Sequence, residues 1–152
     1  MSTDGPTGGK SVEGHAEGLY ALAFSHDGKI LATGGVAGGL RGNGNDKSIK
    51  IWNVEDGREL ARLVGHDKGI YSLTFAPDGK SLVAADYDGS MRHWNLDKGQ
   101  VKATLSLIKR GDRIVGTPVE PWAITPDLKS WAVGTGKSVL WLDIADFTGT
   151  EN

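Results

Sequence analysis

Residues 65–96 read GHDKGIYSLTFAPDGKSLVAADYDGSMRHWNL, and this stretch decides the architecture. Gly65-His66 leads into an alternating run, Ile70 to Phe75, and then into the turn Pro77-Asp78-Gly79-Lys80. Ser81 to Ala85 is a second strand-like run, Asp88-Gly89 a second turn, and Ser90 to Trp94 a third run. Alternation places every second side chain on one face of a sheet, and Asp-Gly supplies the positive φ that tight hairpins need. A further turn, Leu96-Asp97-Lys98-Gly99, sends the chain into a fourth strand at Gln100 to Leu107. The unit is therefore four antiparallel strands.

The same unit recurs on both sides. Upstream come His15, a strand at Leu19 to Phe24, the turn His26-Asp27-Gly28-Lys29 and strands at Ile30 to Thr33, Ser48 to Trp52 and Arg58 to Val64. This copy is interrupted by Gly34 to Asn45, which holds six glycines and is long for a hairpin loop. Downstream, a basic, turn-rich stretch from Lys109 to Pro118 precedes strands at Glu120 to Thr125, Trp131 to Gly134 and Ser138 to Leu142. Pro126-Asp127-Leu128-Lys129 there repeats Pro77-Asp78-Gly79-Lys80. The turn residues Asp27, Asp78 and Asp127 are spaced 51 and 49 residues apart, and Trp52 and Trp94 are 42 apart. Four strands per period of about 40–45 residues, with Gly-His and a closing Trp, is the pattern of propeller blades. No segment sustains a helical period.

Bulk properties narrow the function classes. The chain has 152 residues, enough for one ordinary domain, and its 23 glycines fit many turns. Seventeen basic against 19 acidic side chains give a net charge of −2, which offers no electrostatic case for nucleic acid or an anionic membrane. The absence of cysteine excludes disulfides and thiolate metal sites. MSTDGPTGGK has no apolar core of a secretory signal, and no run approaches the roughly 20 residues of a membrane helix. A soluble, cytoplasmic protein without cofactor or metal is the default expectation.

On these residues the chain resembles the WD-repeat β-propeller family over about residues 10–150, in the first two copies by specific motifs and in the third by turn and spacing. The resemblance implies an all-β fold of three four-stranded blades that do not close a ring by themselves. Residues 1–9, rich in Ser, Thr, Gly and Pro, read as a flexible lead-in. The blades occupy about 15–64, 66–108 and 119–152, with a strand at 10–13 serving as an outer strand. In the family a His before the first strand, an Asp in the turn before the third, a Ser or Thr on the second and a Trp on the third pin each blade. Carried over, the first copy has His15, Asp46, Thr33 and Trp52. The second has His66, Asp88 and Trp94, with Ala84 in place of the hydroxyl, which leaves one polar group to water. The third has none of the set and is held by packing. These residues are structural; no catalytic dyad or metal pair with His93 is expected.

Three blades are too few for a ring, which usually takes four to eight. Either two copies pair, most simply into a six-bladed ring, or the chain is a piece of a longer propeller, or another protein supplies the missing blades. The family resemblance implies a non-catalytic scaffold for protein or peptide partners. A purely structural oligomerisation segment is the alternative. No nucleophile motif, supported carboxylate pair or phosphate loop favours an enzyme. The resemblance places the loop before the first strand and the turn between the second and third strands on one face. That face holds the candidate partner-binding residues Arg41, Lys68, Tyr71, Tyr87, Arg110 and Arg113, together with Tyr20, which is equivalent to Tyr71, and the Asp86-Tyr87 turn.

Overall fold

The strands form where polar and apolar residues alternate and end where Asp-Gly turns reverse the chain. In a computed structural model, the described residues are 11–36, 46–87, 89–106, 122–125, 127, 129–135 and 137–143. The first sheet runs β1 (Leu19–Phe24), β2 (Ile30–Gly35), β3 (Ile49–Asn53), β4 (Glu59–Leu63), in that spatial order. The second repeats it as β5 (Ile70–Phe75), β6 (Ser81–Asp86), β7 (Ser90–Asn95), β8 (Gln100–Ser106). Among the described residues the third sheet has three strands, β9 (Trp122–Ile124), β10 (Ser130–Thr135) and β11 (Ser138–Asp143), ordered β11-β10-β9. All pairings are antiparallel, and no helix occurs among the described residues.

The β1–β2 and β5–β6 turns share one construction. Gly28 and Gly79 take φ of 70° and 68°. The preceding Asp27 and Asp78 each accept a hydrogen bond from a backbone N–H two residues on, at 3.0 and 2.9 Å. Asp127 does the same with Lys129, at 3.0 Å.

Register assigns the faces. In the first sheet Leu22 pairs with Thr33, Phe24 with Leu31 and Leu31 with Trp52, so these share one face. Ala21, Ala32, Ile49 and Ile51 lie on the other. In the second sheet Leu73, Phe75, Leu82, Ala84 and Trp94 occupy the positions of Leu22, Phe24, Leu31, Thr33 and Trp52. One core cluster unites Ala21, Ala32, Ile49 and Ile51 with Ile70, Leu73, Phe75, Leu82, Ala84 and Trp94. The sheets therefore stack as blades, the far face of the first against the near face of the second. The far face of the second, Val83, Ala85 and Met91, is also buried.

The near face of the first blade has no sheet against it among the described residues, although Trp52 and Thr33 remain buried at 6% and 4% exposure. Leu22 and Phe24 are 59% and 61% exposed, against 8% and 3% for their equivalents Leu73 and Phe75. Residues 11–13 carry no strand, so the expected outer strand is absent from the described part of 10–13; Lys10 lies outside the described residues. Val12 alone gives this segment too little apolar surface to pay for ordering against a sheet. Instead Val12 and Gly14 line a groove on the near face of the first blade.

Candidate functional site

In the first blade the four residues that the resemblance implies, His15, Thr33, Asp46 and Trp52, form one hydrogen-bonded chain. Trp52 Nε1, which can only donate, bonds Thr33 Oγ1 at 2.9 Å. The Thr33 hydroxyl lies 2.8 Å from His15 Nε2, and His15 Nδ1 lies 2.9 Å from Asp46 Oδ2. With a neutral ring, donation runs indole to hydroxyl, hydroxyl to Nε2 and Nδ1–H to carboxylate, so every member is satisfied. Asp46 also accepts from the Ser48 hydroxyl at 2.7 Å and the Ala16 N–H at 3.2 Å. Burial pushes the Asp46 carboxyl up, but the bonds from Ser48 and His15 outweigh it and hold the group below its ordinary value.

The second blade solves the same problem differently. His66 Nδ1 lies 2.8 Å from Asp86 Oδ2, and both side chains are fully buried. Asp88, expected as the partner, lies outside the described residues. The reason Asp86 serves is steric and is visible in the first blade. Asp86 pairs with Ile70 as Gly35 pairs with Leu19, so the two positions are equivalent. A Cβ on Gly35 would stand 2.6 Å from the Asp46 carbonyl oxygen and 2.9 Å from its carboxylate. The space that Asp46 fills from the turn is filled by Asp86 from the strand. Asp86 was also expected on the exposed partner face, and its complete burial removes it from there.

Nor does Ala84 leave a polar group to water. The Trp94 N–H donates directly to His66 Nε2 at 3.4 Å, closing the gap of the missing hydroxyl with a longer, weaker bond. A further tie escaped the sequence reading. Lys50 and Arg92, equivalent on β3 and β7, donate to the carbonyls of Gly14 and Gly65, the residues before the two histidines. A basic residue two before each Trp was the available signal.

Around the ends of β1 and β5 the structure assembles part of the expected partner face. The β1–β2 register slips at Tyr20, and the β5–β6 register slips at the equivalent Tyr71. Each tyrosine is thus the extra residue of an edge-strand bulge, which turns its side chain out of the ladder. Tyr87 sits between them, its ring centroid 6.1 Å from Tyr20 and 5.3 Å from Tyr71. Burial, and then the neighbouring Tyr20, hold the Tyr87 phenol above its ordinary value. Tyr20 remains 62% exposed. The loops bearing these residues are tied by bonds from Val36 N–H to the Gly18 carbonyl and from Tyr87 N–H to that of Gly69, both 3.1 Å. Lys68 is half-buried on the same rim, and Asp67 pairs with Arg92 at 3.5 Å. Arg41, Arg110 and Arg113 lie outside the described residues.

Among the described residues no group of three or more His, Asp or Glu is placed to hold a metal ion, and no helix is long and apolar enough to cross a membrane. His93, on β7, is half-buried, and burial with the nearby Lys102 charge lowers its pKa against the pull of Asp78.

Four-stranded sheets stacked face to face, each pinned by a His–Asp pair and an indole, define blades of a β-propeller. The WD domain, G-beta repeat family matches residues 9–53 and 57–95, and the chain belongs to it. The chain is 34% identical to Protein tipD of Dictyostelium discoideum over 97 residues, 64% of this chain and 14% of that protein. It is 30% identical to Nuclear distribution protein PAC1-2 of Uncinocarpus reesii over 135 residues, 89% of this chain and 25% of that one. It is 37% identical to WD repeat and SOCS box-containing protein 1 of Xenopus tropicalis over 132 residues, 85% of this chain and 28% of that one. The chain thus spans only 14% to 28% of the length of these relatives. The crystal structure of the Myceliophteria thermophila Cps50 (Swd1) β-propeller domain shares the fold, with a TM-score of 0.61, 21% identity and cover of 85% of this chain and 36% of that one. WD-repeat propellers are in general non-catalytic scaffolds that bind protein partners.

Proposed function

We propose that this protein is a non-catalytic scaffold that binds a protein or peptide partner on the rim carrying Tyr20, Tyr71, Tyr87 and Lys68, as part of a ring larger than its own three blades. The observation that supports partner binding is the tyrosine ridge. Two equivalent bulges and a turn bring three aromatic rings together across a blade junction while Tyr20 stays largely open. Tyrosine offers a rigid apolar face and a polar tip, and exposed aromatics are the commonest interface anchors. The larger ring is supported by the bare near face of the first blade; its simplest form is two copies making six blades. A cytoplasmic setting suits the cysteine-free sequence.

Affinity capture with the wild-type chain and with Tyr20→Ala and Tyr87→Ala tests the rim. Partners lost by both variants at unchanged molar mass support it. The same partners on all three chains would remove the ridge as the binding surface.

A further inference from the structure

The third sheet ends in an apolar face that matches the bare face of the first. Trp141 pairs with Ala132, and Ala132 with Ala123, so these three share a face with Val139. Val139 and Trp141 are 61% and 73% exposed. Register equates them with first-blade residues: Trp131 pairs with Leu142 and Ala132 with Trp141, as Leu31 pairs with Trp52 and Ala32 with Ile51. Trp141 therefore holds the position of Ile51, and Val139 that of Ile49, both of which are buried inside the chain at 5% and 0% exposure.

What Ile51 meets inside the chain shows what Trp141 can meet outside it. Ile51 belongs to the cluster containing Leu73, Phe75, Leu82 and Trp94. The first-blade equivalents of those four are Leu22, Phe24, Leu31 and Trp52, and they line an open groove of about 360 Å³ with Val12 and Val54. One end of the array thus presents the donor half of the blade junction and the other end its acceptor half, and the groove is roomy enough for an indole where the internal junction takes an isoleucine.

We infer that the Val139–Trp141 face of one copy docks into the Leu22–Phe24 groove of a second copy, continuing between chains the junction that joins the first two blades within one. This rests on the reading of the chain as part of a larger ring and names the contact that makes it. Two unlike patches on one chain form a head-to-tail contact, which closes when the rotation per copy divides the circle and otherwise runs on as an open array.

The test is molar mass by light scattering for the wild type, Phe24→Lys, Trp141→Glu and an equal mixture of the two variants. The wild type should run at twice the chain mass of 16.1 kDa, or above it as an open array. Each variant alone should run as a single chain with an unchanged far-ultraviolet circular dichroism spectrum. The mixture should pair again, since one junction then joins Lys to Glu and the other is native. Variants that associate like the wild type, or folded single variants whose mixture stays monomeric, overturn this contact and leave the larger-ring reading standing. A wild type that is monomeric across the accessible concentration range overturns the contact and, with it, the pairing of copies into a six-bladed ring. Should either variant lose the native spectrum, Leu22→Lys with Val139→Glu is scored by the same outcomes.

Discussion

Asp86 stands 2.8 Å from His66 Nδ1, at the strand position that the preceding blade gives to Gly35. The two blades thus put a carboxylate in one place by two routes, from the strand in one and from the turn residue Asp46 in the other. Both routes cannot be used together in one blade, because a side chain at Gly35 would overlap Asp46. Replacing Asp86 by Ala leaves the buried His66 Nδ1 and the Ser90 N–H without their acceptor, and a buried group left unsatisfied costs about 1–3 kcal/mol. Asp86→Ala should lower unfolding stability by about 3 kcal/mol in urea, and a loss well below about 1 kcal/mol would mean that Asp86 is not the pin.

Thr33 has a different exposure to loss. It takes the Trp52 N–H and serves His15 Nε2, and Thr33→Val removes both bonds while keeping the volume. The second blade shows that the indole and the imidazole can meet without a hydroxyl between them. The expected cost is therefore about 1 kcal/mol, that of one ordinary hydrogen bond rather than two orphaned groups. Urea denaturation followed by tryptophan fluorescence measures it. A cost near that of Asp86→Ala would show that the first blade cannot relax as the second does.

Acid should weaken the first blade in a definite window. The Asp46 pKa in the folded chain lies below its ordinary value of 3.8, so between the two the unfolded chain binds more protons. The stabilisation is then fully present above the unfolded value and is lost as pH falls through the folded one. The turn carboxylates Asp27 and Asp127 are lowered too, chiefly by the hydroxyls of Ser25 and Thr125, and act in the same direction. Asp46→Asn isolates the contribution. The urea midpoint of the wild type should fall more steeply than that of the variant below about pH 4, and parallel profiles would deny Asp46 this role.

The repeating part of this structure was legible because its causes are local. Alternation and Asp-Gly turns place the strands of the first two blades within one or two residues, and the spacing of Trp52 and Trp94 gives the repeat. What escaped depends on neighbours. Leu22 and Leu73 sit in nearly the same sequence context, ALAF and SLTF, yet one faces water and the other a packed sheet. Asp88 holds the turn position at which the family resemblance puts the carboxylate; only the room left by a glycine at the strand position reveals that Asp86 can reach His66. Tyr20 and Tyr71 were legible as equivalents. Their meeting around Tyr87 follows from paired bulges that no local pattern announces.

The closest approach between the first two blades gives the most direct test of how they are stacked. A Cβ on Gly69 would overlap the carbonyl of Val36, the residue after β2, and a Cβ on Gly34 would stand 2.6 Å from Ile70 Cβ. Gly69 is not held by a left-handed φ, so its requirement is space rather than conformation. Backbone cannot swing aside as the end of a flexible side chain can, so Gly69→Ala must shift one blade against the other. Overpacking of this kind costs about 1–3 kcal/mol. Gly79→Ala provides the contrast: nothing lies within 4 Å of its Cβ, and its penalty comes only from φ of 68°. A Gly79 variant should therefore lose about 1 kcal/mol and keep the blade junction. The Gly69 variant should lose more and should expose the junction. Faster hydrogen exchange at the amides of Leu73 and Leu82, relative to the Gly79 variant at matched stability, is the signature. Equal exchange in the two variants would show that the blades tolerate a side chain between them.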